Sequence, residues 1–230
     1  NYADAKSIIS YGKALRKLTK KQRRDFYLVD AYYNTRRNDL SPAVEQLENA
    51  MLYFKKKKQK AYYEYLLAQI YERNNQPADA VDYYKKAGKH TKDEELNLFA
   101  QIQLAKLYGK NPELADQDIV KMLAKLIKFG KNKEHADEVL FTIANYYYFQ
   151  KDTAQAITYL QKSIKKSISN KEQKGKSYLK LGEISFEQAN YTAASGYYDS
   201  TMITLPKDYK DYAIISKRKE TLETLIGYIR

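Results

Sequence analysis

The residue types best suited to metal binding are scarce in this chain of 230 residues. Its two histidines, His90 and His135, each have a glutamate close by in the sequence, Glu94 four residues on and Glu138 three residues on. Such a pair supplies two ligands, whereas a zinc site needs at least three from the protein, so neither pair makes a site by itself. The chain also has no cysteine for thiolate catalysis or zinc binding, and no glycine-rich phosphate loop, GxSxG or HExxH motif. We therefore expect a protein that is not an enzyme and uses no cofactor.

A small residue returns at a nearly constant interval along the chain, with an apolar side chain four residues after it. The small residues are Ala43, Ala80, Ala156 and Ala194, and the residues that follow them are Leu47, Tyr84, Leu160 and Tyr198. Gln117 and Lys121 form a weaker copy, which makes the intervals 37, 37, 39 and 38 residues. Such a period is typical of stacked helical repeats, which offer a long binding surface. The chemistry of this chain is therefore expected to lie in binding a partner.

The second unit of the repeat, about residues 61–94, shows the full pattern of small and aromatic residues. A small residue is followed by an aromatic residue three places on, a small residue nine further on, an aromatic residue four on and a last small residue, at Ala68, Tyr71, Ala80, Tyr84 and Ala87. This pattern resembles the tetratricopeptide repeat, a pair of helices that small residues allow to approach closely. The first, fourth and fifth units match it in part. The third unit keeps Ala105 and Tyr108 but loses the pattern of the second helix.

The resemblance implies an all-α fold, a right-handed tetratricopeptide superhelix of about twelve helices in a single domain over residues 1–230. Five repeats are predicted, at residues 24–57, 61–94, 98–131, 137–170 and 175–207. Residues 1–18 are expected to be the second helix of a truncated repeat, because Tyr2–Ala5 aligns with Pro77–Ala80. Residues 208–230 are predicted to form a capping helix whose buried side carries Ile214, Ile215, Leu222, Leu225 and Ile226.

The resemblance also implies where a partner binds, since in this family the first helix of each pair lines a concave groove. Ten residues fall at the groove-facing places: Tyr32, Tyr62, Tyr65, Gln69, Phe99, Lys106, Phe141, Asn145, Tyr148 and Glu183. Their mixture of aromatic rings with few charges suits an apolar or helical peptide segment. For each ring, packing against the adjacent helix is the alternative interpretation.

The charge of the chain widens the range of partners. Its 41 basic and 28 acidic residues give a net charge of +13, which suits an acidic protein, an anionic lipid surface or nucleic acid. A solvated lysine-rich surface explains the same charge without any partner. Nucleic acid is the weaker alternative, because the 24 tyrosines that could stack on bases fall largely at structural places of the repeat. No run of about 18 apolar residues occurs, so no membrane-spanning segment is expected.

The C-terminal third carries a narrower resemblance. The segments Tyr197–Thr201 and Lys207–Tyr212, followed by Ile215, Arg218, Leu222 and Leu225, are similar to the end of the repeat region in SprE/PorW-type lipoproteins. Those proteins belong to the type IX secretion and gliding-motility machinery of Gram-negative bacteria. The resemblance covers most of residues 61–230 and implies a periplasmic protein, anchored to the outer membrane by lipid, with other secretion-machinery subunits as partners. The lipidated cysteine and the export signal are then expected upstream of residue 1.

The sequence therefore favours a non-enzymatic protein–protein interaction scaffold that serves as an adaptor in such a secretion or motility complex. The alternative is a peptide-binding or chaperone-like adaptor that works outside secretion.

Overall fold

The structure is a computed structural model that describes residue 7 and residues 18–115, 118–128 and 131–229. Within these ranges the chain forms eleven α-helices and two short 3₁₀ helices (Pro112–Leu114 and Lys131–His135), without a β-strand. The α-helices are α1 (Lys20–Arg37), α2 (Leu40–Met51), α3 (Lys57–Arg73), α4 (Pro77–His90), α5 (Glu94–Lys110), α6 (Ile119–Leu126), α7 (Ala136–Phe149), α8 (Thr153–Lys166), α9 (Lys171–Glu187), α10 (Tyr191–Thr204) and α11 (Tyr212–Ile229). The all-α prediction is confirmed. The helix predicted over residues 1–18 lies outside the described residues, apart from residues 7 and 18.

Polar side chains determine where several helices begin. Thr19 and Gln22 form a capping box at the start of α1, in which each side chain bonds to the backbone N–H of the other residue. The carboxylate of Asp93 accepts hydrogen bonds from two backbone N–H groups at the start of α5, and Asp152 and Asn190 each accept one at the start of α8 and α10. Since the first N–H groups of a helix have no partner inside it, these side chains fix the helix boundaries.

Four turns inside helix pairs share one backbone geometry. Asn38, Asn75, Lys151 and Ala189 each have φ between 57° and 64°, in the left-handed region. In every case the N–H of the next residue donates to the carbonyl five residues earlier, as from Asp39 to Asn34 at 2.9 Å. This is the Schellman ending of a helix, and it satisfies carbonyl groups that the helix leaves unpaired. The four pairs are therefore closed by turns with the same backbone hydrogen bond, each with the left-handed residue two positions before the next helix.

The chain divides into two compact units, which are described separately. Unit 1 comprises residues 1–107 and 111–116, and unit 2 comprises residues 108–110 and 117–230. In unit 1, α1 pairs with α2 and α3 pairs with α4; in unit 2, α7 pairs with α8 and α9 pairs with α10.

The alanine stride forms the core of both units. In unit 1, Ala43, Ala80 and Tyr84 have no exposed surface and Leu47 is 4% exposed. In unit 2 the equivalent residues are equally buried: Ala156, Leu160, Ala194 and Tyr198. The small residue of each of these four repeats thus lies where two helices meet, and the larger residue one turn later fills the space beside it.

The third repeat departs from the sequence prediction. The weaker copy of the stride was assigned to Gln117 and Lys121, but Gln117 lies outside the described residues and Lys121 is exposed. The buried pair is Ile119 and Leu123, two residues later and four residues apart. The helix that carries them, α6, has only 8 residues, and Asp118 caps its start by accepting from the N–H of Lys121 at 2.9 Å. In this repeat a large aliphatic side chain takes the place of the small residue, so a search for alanine does not locate its buried positions.

The C-terminal helix is present, but its buried face is narrower than predicted. Ile215 and Leu222 are buried in a cluster with Ala194, Tyr198 and Leu205, and Ile226 packs against this cluster from its edge. Ile214 and Leu225, which were also assigned to the buried side, are 62% and 36% exposed. Residues four or seven apart share a helix face, so Ile215, Leu222 and Ile226 form the buried face and the positions beside them lie outside it.

Candidate functional site

Unit 1 contains an open apolar cavity of about 750 Å³. Its lining comes mainly from α1 and α3, with single residues from α2, α4 and α5. The floor is formed by side chains that belong to the core of the unit: Ala31, Leu47, Ile70 and Tyr84. Helices α1 and α3 are the first helices of two neighbouring pairs, which is where the repeat predicts a binding surface. We refer to this feature as the unit 1 cavity.

Tyr32 is the large exposed aromatic side chain on the wall of the unit 1 cavity. It is 67% exposed, although the residue before it, Ala31, is only 4% exposed and contributes to the floor. An aromatic ring left this open beside an apolar depression is available to contact a partner. Gln69 on α3 and Gln103 on α5 also line the cavity. Their amide groups can each donate and accept hydrogen bonds.

Charged residues lie at the side of the cavity formed by the end of α3. Glu72 accepts a hydrogen bond at 3.1 Å from the hydroxyl of Tyr84, and burial raises the pKa of this tyrosine above its usual value. Tyr84 therefore stays neutral and donates to the carboxylate. Arg73 donates from Nη2 to Oδ1 of Asn38 at 2.8 Å, which ties α3 to the turn after α1. An occupant of the cavity would meet one carboxylate and one guanidinium there.

The other predicted groove residues of unit 1 do not line this cavity. Tyr62 is 56% exposed elsewhere on α3. Tyr65 is half-buried with its ring edge-on to that of Tyr84, at 5.3 Å between centroids, so it packs in the way the alternative interpretation expects. Phe99 is half-buried and Lys106 exposed, both on α5.

Two of the predicted groove residues of unit 2, Tyr148 and Glu183, bond to neighbouring side chains. The hydroxyl of Tyr148 donates to the Glu187 carboxylate, at 2.7 and 2.9 Å to its two oxygens. The ammonium of Lys180 lies 3.7 Å from the centre of the Tyr148 ring and also pairs with Glu183 at 3.2 Å. Arg218 adds a longer contact to Glu183, at 3.7 Å. Tyr148 and Glu183 are therefore brought together, but in a charged network.

The hydrogen bond to Glu187, followed by burial, raises the pKa of Tyr148 to about 12. The remaining two predicted residues, Phe141 and Asn145, are both half-buried. Asn145 donates from its amide to the backbone carbonyl of Phe141 at 3.1 Å, and Phe141 packs against the core cluster around Leu160.

Two stacked tyrosine pairs were not identified from the sequence. Tyr71 and Tyr83 stack with their centroids 5.4 Å apart, and both hydroxyls donate to Glu48, at 2.7 and 2.8 Å. Burial and this hydrogen bond raise the pKa of both tyrosines. Tyr147 and Tyr159 stack in the same way in unit 2, at 5.5 Å. The spacing of twelve residues in both pairs was the signal that could have revealed them.

His90 contacts a glutamate other than the one near it in the sequence. His90 Nδ1 lies 2.8 Å from an oxygen of Glu64, a residue on α3 that is far from it in sequence, and the Glu64 side chain is 5% exposed. This contact joins the end of α4 to α3. Among the described residues, no group of three or more metal-ligating side chains occurs. The helices within the described ranges include none that is both long and apolar enough to cross a membrane.

The helix pairs, their common turns and the buried alanine stride define a tetratricopeptide-like helical repeat fold. No family model matches the chain, and no curated protein sequence matches it. Among solved structures, the apo form of RapI is similar with a TM-score of 0.76 and 20% identity, over 97% of this chain and 63% of that one. A Rap protein complexed with competence and sporulation factor is similar with a TM-score of 0.60 and 16% identity, over 82% of this chain and 55% of that one.

The pilF protein of Pseudomonas aeruginosa is similar with a TM-score of 0.58 and 17% identity, over 89% of this chain and 86% of that one. This chain thus spans less than two thirds of the two Rap structures and most of pilF. At these identities the likeness establishes the fold.

Proposed function

We propose that this chain is a non-enzymatic protein-interaction scaffold that binds a peptide segment of a partner protein in the unit 1 cavity. The observation that carries this proposal is an apolar cavity of about 750 Å³ with a tyrosine on its wall that is 67% exposed. The size falls within the range of about 300–1,000 Å³ that is typical of ligand sites in proteins.

The chemistry of the unit 1 cavity suits a peptide better than a small polar metabolite. The buried floor of Ala31, Leu47 and Ile70 offers an apolar surface for one or two side chains of the partner. Gln69 and Gln103 can bond to main-chain amides on either side of such an anchor. One of the similar structures is a Rap protein in complex with competence and sporulation factor, which supports a binding role for this fold.

The test compares two exposed tyrosines of the same unit. Tyr32→Ala removes the ring beside the cavity, and Tyr62→Ala removes a ring that is 56% exposed but does not line it. Protein captured from a bacterial lysate by the wild-type chain is identified by mass spectrometry, and its binding segment is then titrated as a synthetic peptide. We expect Tyr32→Ala to weaken the peptide by about tenfold or more and Tyr62→Ala to leave its affinity nearly unchanged. Equal affinities for the two variants would contradict the proposal.

We further propose that the partner is a subunit of a type IX secretion or gliding-motility complex, at the periplasmic face of the outer membrane. The support is the sequence similarity of Tyr197–Thr201 and Lys207–Tyr212 to the SprE/PorW-type lipoproteins. Capture from the envelope of a bacterium that has this machinery should recover one of its subunits. The coding sequence upstream of the codon for residue 1 should then include an export signal that ends in a cysteine that can be lipidated. A recovered partner from outside this machinery would instead favour the alternative adaptor role.

A further inference from the structure

A second cavity, in unit 2, has a different chemistry from the unit 1 cavity. It measures about 680 Å³ and lies among α6, the second 3₁₀ helix, α7 and α8. Its apolar lining consists of Ala124, Ile127, Ala136 and Leu140. Leu140 and Ala136 are each 9% exposed and belong to the wall of the unit's core, whereas Ala124 and Ile127 are half-exposed.

The other described residues that line this cavity are all lysines. They are Lys128, Lys133, Lys162, Lys165 and Lys166, and all five are exposed. The ammonium of Lys162 lies 4.3 Å from the centre of the Tyr159 ring. The other four have no ion pair with any residue in the described part of the chain. We refer to this feature as the lysine cavity.

Within the described part of the chain, no carboxylate lines the lysine cavity to balance these charges. Asp137 follows Ala136 directly, but it is 4% exposed and its carboxylate accepts from the N–H of Glu138 at 2.9 Å. Five cations around one apolar depression repel one another, and an anionic occupant would relieve that repulsion.

We propose that the lysine cavity is a docking site for an acidic protein segment that carries an apolar side chain between its carboxylates. The apolar side chain would contact Ile127 and Leu140, and the flanking carboxylates would pair with the lysines at the mouth. This site is separate from the unit 1 cavity and does not depend on it, so the chain would hold two different polypeptide segments.

The lining favours a polypeptide over the other two classes of polyanion. Among the described residues no aromatic side chain lines the cavity, so this part of the chain offers single-stranded nucleic acid no ring on which to stack its bases. Proteins that bind anionic membranes project large apolar side chains outward into the interface, whereas here Leu140 and Ala136 are only 9% exposed and Ile127 is half-buried. Charge complementarity and an apolar floor are satisfied together by an acidic segment with leucine-like side chains.

The test uses fluorescent peptides of defined composition with the whole chain. The probe consists of repeated Glu-Glu-Leu-Leu blocks, and its control of Glu-Glu-Ser-Ser blocks keeps the charge but removes the apolar side chains. We expect the first peptide to bind measurably, with an affinity that falls as salt is added, and the second to bind at least about tenfold more weakly. Equal binding of both peptides would overturn the assigned use of the apolar floor, and no binding of either would overturn the site.

Variants locate the bound peptide. Lys165→Glu together with Lys166→Glu reverses two charges at the cavity and should weaken the leucine-containing peptide by about tenfold or more. The matched control is Lys207→Glu together with Lys210→Glu, which makes the same charge change at exposed positions of unit 2 outside the cavity. All four lysines are exposed, so folding should survive both changes, and circular dichroism checks it. Equal losses in the two double variants would show a general charge effect and overturn the site.

Three further outcomes separate this proposal from its competitors. Tyr32→Ala should leave the acidic peptide unaffected; loss of binding in that variant would move the peptide to the unit 1 cavity and overturn this inference while leaving the proposed function intact. Tighter binding of a single-stranded oligonucleotide that the Lys165/Lys166 variant abolishes would assign the cavity to nucleic acid. The same result with phosphatidylserine vesicles would assign it to a membrane. Either result would overturn the proposal.

Discussion

Tyr148 holds its proton because of one carboxylate. Its hydroxyl donates to both oxygens of Glu187, and this hydrogen bond is the main reason why the pKa of Tyr148 rises to about 12. A free tyrosine has a pKa near 10. The neutral phenol is therefore favoured more strongly in the folded chain than in the unfolded one, and it stabilises the folded chain at neutral pH.

Replacing Glu187 tests this dependence. Glu187→Gln removes the negative charge, so the pKa of Tyr148 should fall toward its usual value of about 10. In the wild type, the stability from this contact is complete below about pH 10 and is lost as the pH rises through about 12. In Glu187→Gln the pKa of Tyr148 approaches that of the unfolded chain, so most of this pH-dependent stability should disappear. An NMR titration of the tyrosine ring carbons measures the shift, with Tyr148→Phe identifying the resonance.

Glu172→Gln is the matched control, because Glu172 pairs with Lys176 in the same helix. An unchanged pKa of Tyr148 in Glu187→Gln would show that burial, and not the hydrogen bond, raises it.

At the residue level, the ten predicted groove residues have different environments in the structure. Tyr32 and Gln69 lie together on the unit 1 cavity, but Tyr65 packs on Tyr84 and Tyr148 bonds to Glu187. Helical periodicity indicates which face of a helix a residue occupies, and a tyrosine is compatible with a buried or an open position on that face. The difference depends on neighbours from other helices, such as Glu187, which lies 39 residues after Tyr148.

Helix α9 approaches the end of α10 through a glycine. A Cβ atom at Gly175 would lie 2.6 Å from side-chain atoms of Leu205, which is itself 4% exposed and has little room to move. At Gly196, in the middle of α10, a Cβ atom would meet nothing within 4 Å. We therefore expect the same substitution, glycine to alanine, to have opposite effects on stability at these two positions.

Gly175→Ala should destabilise the chain by about 1–2 kcal/mol, because the overpacking cost exceeds the gain in helix propensity. Gly196→Ala should stabilise it by about 0.5–1 kcal/mol, since only the gain remains. Urea unfolding followed by circular dichroism measures both changes. A stabilising effect of Gly175→Ala would mean that α9 and α10 are not held as closely as the structure shows.

The elements themselves were largely predictable, and the exceptions have a common cause. The repeats fix the positions of α1 to α4 and α7 to α10 because each carries a small residue where two helices meet. The buried face of α6 was assigned two residues too early because Ile119 and Leu123 fill that position with larger side chains. In α11 a short stripe is buried, and Ile214 shows that an apolar residue at a helix surface is no proof of burial.

For the whole molecule, the succession of repeats predicts that the chain unfolds as one array, and the single domain over residues 1–230 stays a prediction. In a repeat protein with strong coupling between neighbours, a local destabilisation shifts one common transition. Ala80→Leu should overpack the core of unit 1 and lower the free energy of unfolding by about 1–3 kcal/mol. Gly175→Ala destabilises unit 2 instead. We expect each to lower the midpoint of a single thermal transition, seen equally by circular dichroism and by tyrosine fluorescence.

Two separate transitions, of which Ala80→Leu lowers one and Gly175→Ala the other, would contradict this expectation. In that case the two compact units fold independently. The double variant should then show both transitions lowered, each by the same amount as in its single variant, because the effects of changes in independent units add.

The four left-handed turns also limit where a chain like this one can gain or lose residues during evolution. Each turn, at Asn38, Asn75, Lys151 or Ala189, closes on a backbone hydrogen bond that spans a fixed number of residues. One inserted residue there would break that bond and rotate the following helix away from its partner. The segments between pairs, at residues 52–56, 91–93 and 167–170, have no such common geometry. Insertions and deletions among descendants of a shared ancestor should therefore collect between the pairs, and the turns within pairs should keep their length even where every side chain has been replaced.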